Sequence, residues 1–359
     1  MKILFYIESL RSGGKERRLV ELIKGLSKYP DIEMELVLTK EDIHYTDIFE
    51  TGIKIHYTIR KGLKKDPRLF FKFYKIARKV KPDIIHVWGN MVAVYAIPAK
   101  VILGIPMINN QITNAPLKEP SGFLTHKLTF KFANRIISNS KAGLLAYNAP
   151  KNKSTYIYNG FDINRIYNLK KKEDVKRQFN IKSDYVIGMF ASFSDSKDYD
   201  SYIKAAIKLC NNHLNITFLA VGDGDYQKYL DQIPETFLDR ILFLGKQSNV
   251  ESIMNVCDIG VLASFTEGIS NALLELMALG KPIIASGGGG TKELIDDNNG
   301  FLIKSSNPTL LAEKIEILLN NKELAESMGK KSKVIVKKKF NVSLMINGFI
   351  KEYQKALKN

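Results

Sequence analysis

Short apolar runs alternate with helical patterns along the chain, once through its first half and again through its second. The runs at 3–7, 33–38, 84–87, 107–110 and 135–138 read as buried strands, and a second set follows at 186–190, 216–221, 241–244, 259–263 and 282–285. Repeated strand-helix-strand units close through right-handed crossovers into parallel sheets covered by helices on both faces. A chain of 359 residues also exceeds the size at which one core keeps growing. The pattern therefore predicts an α/β protein of two Rossmann-like, doubly wound domains, with a ligand cleft between their facing strand ends. The join is expected in the charged turn region 164–172, giving domains 1–165 and 166–342. A last segment, 343–359, carries Leu344, Ile346, Phe349, Ile350, Tyr353 and Leu357 at mostly helical spacing and is expected to pack.

Composition removes several classes. Cys210 and Cys257 sit in apolar surroundings without metal-ligand spacing, which argues against a disulfide framework or a zinc site and suits a reducing cytosol. The opening Met-Lys-Ile-Leu-Phe-Tyr-Ile is too short for a signal-peptide core and reads as a first strand. The longest apolar stretch, 91–108, is broken by Pro98, Lys100, Gly104 and Pro106, so a buried helix and strand fit it better than a membrane span. There is no Ser-His-Asp order, nucleophile elbow, P-loop or metal-ligand cluster, which removes most hydrolase and kinase readings. A net charge of +17 implies an anionic partner: nucleic acid, acidic lipid or a phosphorylated substrate.

The densest chemistry lies after the strand at 259–263. Glu267 and Glu275 stand on either side of a seven-residue gap, and Ser270 and Asn271 are good caps for the helix between them. A loop at the carboxyl end of a parallel strand, followed by a helix N-terminus, attracts phosphate. Glu275 brings two acceptor oxygens suited to a hydroxyl pair. Phosphate and polyol together suggest a nucleotide sugar; the alternative is a glutamate paired on a solvated helix face. Two glycine loops also follow strands, Gly13-Gly14 and the run 287–290, and both can bring bare backbone against a diphosphate or a sugar. Neither is the G-x-G-x-x-G fingerprint, which disfavours a nicotinamide cofactor. Gly222 belongs to a Val-Gly-Asp-Gly element that is either a turn or a wall of the site. Lys197, in a loop after another strand, could neutralise a departing diphosphate. His86 ends the run 83–86 and Trp88 stands in the loop after it; a lone histidine at such a place is more often structural than catalytic.

The stretch 60–81 holds ten Lys or Arg and one acid among Leu69, Phe70, Phe71, Phe73, Tyr74 and Ile76. Such a basic amphipathic helix suits an anionic membrane surface, or else it packs its apolar face and solvates its lysines. The segment 123–135 adds His126, Lys127, Lys131 and Arg135 among further apolar residues.

In this order the motifs resemble retaining glycosyltransferases of family 4, which have the GT-B fold. The resemblance rests on Gly13-Gly14-Lys15-Glu16-Arg17, the 82–86 segment Pro-Asp-Ile-Ile-His, the 158–162 segment Tyr-Asn-Gly-Phe-Asp, Lys197, the 221–224 segment Val-Gly-Asp-Gly, Ser264 with Glu267 to Glu275, and Gly289-Gly290 before Glu293. It implies an acceptor-binding N-terminal domain, a nucleotide-sugar-binding C-terminal domain, and a last helix crossing back to the first. It implies Glu267, Lys197 and His86 as catalytic residues, with Lys197 on the leaving diphosphate. Gly13, Gly14, Trp88, Asn159, Gly222, Gly268, Ile269, Ser270, Asn271 and Glu275 would bind substrate, Glu275 through the ribose. Two positions depart from the family pattern. Ser192 stands where an arginine is common, and Trp88 stands where many relatives have a second histidine and could stack on a sugar ring.

The expected activity is transfer of a sugar from a UDP- or GDP-sugar to a hydroxyl of a glycan or lipid-linked glycan, with no metal and no cofactor. The protein is expected in the cytoplasm or at the inner face of the membrane, with a peripheral contact to anionic lipid and no nucleic acid partner. A nucleotide-sugar epimerase is the alternative enzyme, because a shared fold does not fix the reaction. A non-catalytic anionic-surface binding protein is the alternative outside enzymes.

Overall fold

The structure, a computed structural model, describes every residue except 61, 63, 64, 117–121, 213, 214 and 359. Part of the basic stretch 60–81 thus lies outside the described residues. The chain forms two compact units, one of Met1–Gly160 with Val342–Asn359 and one of Phe161–Asn341.

The first unit holds seven parallel strands: β1 (Lys2–Ile7), β2 (Glu33–Leu38), β3 (Lys54–Tyr57), β4 (Ile84–Val87), β5 (Met107–Ile112), β6 (Arg135–Ser138) and β7 (Ser154–Tyr156). Their order is β3-β2-β1-β4-β5-β6-β7, so the winding reverses between β1 and β4. Helices cover both faces, which is why β4 is buried along its whole length and apolar except at His86. On one face lie the helices Arg68–Val80, Asn90–Leu103 and Phe123–Phe132. On the other lie Gly14–Leu26 and the last helix, Val342–Lys358, which bury Leu22, Ile23, Phe349 and Tyr353 in one core. Leu69, Phe73, Ala77 and Val80 recur at helical spacing and face inward, leaving Phe71, Lys75 and Lys79 exposed.

The second unit holds β8 (Tyr185–Phe190), β9 (Ile216–Val221), β10 (Ile241–Gly245), β11 (Ile259–Leu262), β12 (Ile283–Ser286) and β13 (Gly300–Ile303), ordered β10-β9-β8-β11-β12-β13. Its winding reverses between β8 and β11. The ladders of both sheets are parallel, as the strand-helix alternation requires. All ten expected strands are present. The three further strands, β3, β7 and β13, are edge strands, and β3 and β7 carry polar residues because an edge is covered on fewer sides.

The chain enters and leaves the second unit at one place, where the Phe161 N–H donates to Phe340 O at 2.7 Å. Residues 161–165, which the sequence reading gave to the first domain, belong to this second unit. Among the described residues no helix is long and apolar enough to cross a membrane.

Candidate active site

In the second unit the loops after β8 and β11 lie on either side of the switch in winding, and backbone bonds tie them together. Phe265 N–H donates to Ser196 O and Asp198 N–H to Ala263 O, both at 3.0 Å. Ser264, buried at 2% exposure, pins the junction: its N–H donates to Ser286 Oγ at the end of β12, and its hydroxyl lies 3.0 Å from Ser196 O. This framework brings Lys197 against Glu267, and their side chains form an ion pair of which each member is only about one-seventh exposed. Lys197 Nζ also lies 3.5 Å from Ser264 Oγ. Removing either charge leaves the other half-desolvated without its partner, a costly arrangement.

Asp198 sets the base of the lysine loop. It is buried, it accepts from Ser201 N–H at the start of the Tyr199–Asn212 helix, and its second oxygen accepts from Ser306 N–H at 2.8 Å. The sequence reading passed over it, although an Asp just before a helix is a capping signal.

Glu275 lies on the Asn271–Ala278 helix, whose N-cap is Ser270, the Ser270 Oγ accepting from Leu273 N–H at 3.4 Å. The expected cap and helix are thus in place. Gly268 and Ile269 are buried ahead of it, the Ile269 side chain at 4% exposure, so only backbone groups of these two residues can face a ligand. Glu275 itself is bound by a residue that the sequence reading missed: Arg165 Nη2 donates to Glu275 Oε1 at 2.7 Å and to Glu251 Oε1 as well. No sequence signal links the three, which are 86 and 110 positions apart along the chain.

Two glycines are required by close approach. A Cβ on Gly222, just after β9, would overlap the Ala191 carbonyl beyond β8. One on Gly290 would come within 2.5 Å of Gly268 O, where Gly290 N–H also donates to Glu267 O at 2.9 Å. The second glycine run therefore packs on the Glu267 loop.

The candidates in the first unit fare differently. Gly13 and Gly14 do form an accessible loop between β1 and the Gly14–Leu26 helix. Tyr45 Oη accepts from Gly13 N–H at 3.2 Å and lies 3.1 Å from Gly13 O. Asn159 is buried at 3% exposure. His86 and Trp88 have no exposed surface. His86 Nδ1 bonds Tyr353 Oη at 2.9 Å, its ring packs among Phe5, Trp88, Phe349 and Tyr353, and burial followed by the nearby Arg18 charge holds it well below its usual range, hence neutral. Trp88 lies against Phe349 and beneath the Arg18 guanidinium. Both are core side chains of this unit with no exposed surface, so the catalytic role of His86 and sugar stacking by Trp88 rest on the family resemblance alone. Ser192, in the place of the common arginine, is exposed and bonds Ser194.

Two open parallel sheets, with ionisable side chains gathered in the second beyond the carboxyl ends of strands flanking a switch in winding, form the doubly wound α/β architecture whose ligand crevices lie at such switch points. Residues 12–165 match the family described as Glycosyltransferase Family 4, and residues 171–334 match Glycosyl transferases group 1. The chain belongs to this family of glycosyltransferases. A curated relative, an uncharacterized glycosyltransferase of Methanocaldococcus jannaschii, is 34% identical over 57% of this chain and 54% of its own length. The α-1,4-N-acetyl-D-galactosaminyltransferase of Campylobacter jejuni, whose name gives an undecaprenol-linked diphosphate glycan as its substrate, is 23% identical over 91% of each chain. HepE of Anabaena, solved in complex with UDP-glucose, superposes with a TM-score of 0.85 over 99% of both chains at 22% identity, a likeness of GT-B fold.

Proposed function

We propose that the protein transfers a sugar from a nucleotide diphosphate donor to a hydroxyl of a glycan or lipid-linked glycan with retention of configuration. The observation that carries this reading is the meeting of Lys197 and Glu267 across the switch between β8 and β11, next to the capped N-terminus of the Glu275 helix. In the reaction the bond from the anomeric carbon to the diphosphate oxygen breaks, the acceptor oxygen bonds that carbon on the same face, and the acceptor proton passes to the departing diphosphate. Lys197 exchanges Glu267 for the developing phosphate charge, and the backbone of Gly268 to Asn271 adds the helix dipole. Glu267 then turns to the donor sugar, and Glu275 receives the ribose hydroxyls. Gly13-Gly14 in the first unit would present backbone to the acceptor or donor, and that unit would hold the acceptor. The reading assigns charge neutralisation to these groups rather than to a metal ion, so turnover should be unchanged by EDTA.

The same reading takes a lipid-linked acceptor at a membrane surface; the Campylobacter relative's name gives an undecaprenol-linked diphosphate glycan. It is supported by the exposed Phe71 at 59% and Leu124 at 81%, each on a helix carrying exposed lysines, with Lys75 placed over the Phe71 ring at 4.4 Å. Work at the inner face of the membrane follows from it. Replacing Arg68, Lys72, Lys75 and Lys79 together should reduce co-sedimentation with anionic vesicles; unchanged binding removes the membrane contact and leaves the transfer reading standing. The transfer reading is tested by thermal shift with nucleotide diphosphates and nucleotide sugars, since a ligand of the native state raises its apparent stability. No shift with any of them, at concentrations up to the millimolar range of weak donors, overturns it.

A further inference from the structure

We infer that Arg165 is a positioning residue for the donor ribose, holding Glu275 in place by bridging it to Glu251. The inference rests on the donor reading above and deepens it. Arg165 lies in the short 3-10 segment Ile163–Ile166, with Asp162 as its cap: one Asp162 oxygen accepts from Asn164 N–H at 3.0 Å. Its guanidinium sits 5.1 Å from the centre of the Phe161 ring, and Phe161 is itself buried and anchored to Phe340 O. The 158–162 segment thus has a physical task in its second half. Phe161 and Asp162 aim a guanidinium at the start of one helix, where Glu251 sits, and at the second turn of another, where Glu275 sits.

The charges explain why a bridge is needed. One nitrogen, Arg165 Nη2, reaches Oε1 of both glutamates, and the three side chains are each less than one-fifth exposed. Two carboxylates this close repel strongly where water screens little, and the guanidinium between them cancels one charge. It takes Oε1 of Glu275 and leaves Oε2, which has no partner among the described residues, to accept from a ligand. A vicinal diol needs acceptors whose position is fixed before it arrives, because each torsion frozen on binding subtracts from affinity. Without Arg165, Glu275 turns away from Glu251 and its acceptors leave that position.

The test uses the full chain and isothermal titration of UDP and GDP, carried forward with whichever binds the unaltered protein. Arg165→Gln should weaken that nucleotide about ten- to a hundredfold, the scale of a lost hydrogen bond to a charged group. Adding Glu251→Gln to Arg165→Gln should recover a large part of the loss, because the repulsion goes with it. Arg165→Lys should recover less, since an ammonium lacks the planar fork that spans both acids. The loss should also disappear with the 2′,3′-dideoxy nucleotide, which has no hydroxyls for Glu275 to hold. A merely structural Arg165 would weaken both nucleotides alike and show no recovery from Glu251→Gln, and that result overturns the inference. Glu275→Ala separates the two levels. If it leaves nucleotide affinity intact, the donor reading itself is lost; if it abolishes affinity while Arg165→Gln does not reduce it, only the positioning role is lost.

Discussion

Strands β4 and β11 hold the same place in their sheets, each beside the first strand and on the far side of the switch in winding, yet their carboxyl ends have become opposites. After β11 comes an extended loop that carries Glu267 outward to meet Lys197, and the charged pair stays at the rim of its unit. After β4 only Trp88 and Gly89 precede the next helix, so the chain turns at once and His86 and Trp88 point into the core. The last helix then closes over them with Phe349 and Tyr353. A switch point offers a position for chemistry; loop length and cover decide whether the position is used.

Experiments on the two ends can break this contrast. The largest effect is expected from Lys197→Ala, which removes the cation opposed to the leaving group: turnover of the donor should fall about a hundred- to a thousandfold. A loss under tenfold in a steady-state transfer assay would mean that the β11 end is no more catalytic than the β4 end. Glu275→Ala comes next, with nucleotide affinity expected to fall about ten- to a hundredfold by titration.

At the β4 end the expected effects are on stability. His86 is neutral in the folded protein and takes up a proton in the unfolded chain below its ordinary value near 6.5, so its contribution is fully present above that pH and is lost as pH falls toward its lower folded value. Between pH 6.5 and 5.5 the unaltered protein should lose up to about 1 kcal/mol more than His86→Asn, read by urea unfolding followed through the emission of Trp88, the chain's single tryptophan. Equal slopes for the two proteins would mean that His86 is not sealed. Smallest is Tyr353→Phe, which deletes the hydroxyl bonded to His86: about 1 kcal/mol of stability should go, with donor turnover unchanged. A selective loss of turnover in that variant would return His86 to the catalytic machinery.

Much of the fold was legible because strands covered on both faces are rich in apolar residues, and ten short runs of that kind were visible. β3 and β7 escaped because an edge strand can carry residues such as Lys54 and Ser154. The β11 end was legible for a local reason: loop, cap, helix and both glutamates fall within one short stretch, where spacing fixes geometry. The β4 end was harder to read because the surroundings of His86 include Tyr353, 267 positions away. Arg165 was missed for the same reason. Its partners are set by tertiary packing, and a lone arginine after a turn carries no periodic signal.

The bond between Phe161 and Phe340 has a consequence for how the chain is made. The second unit is an insertion whose two ends meet, placed between the body of the first unit and that unit's last helix. During synthesis the first unit's strands emerge early, but the side chains that seal its core, Phe349 and Tyr353, leave the ribosome only after the whole insertion has been made. The part translated first is therefore completed last, and until then it carries an open apolar face of the kind that chaperones shield.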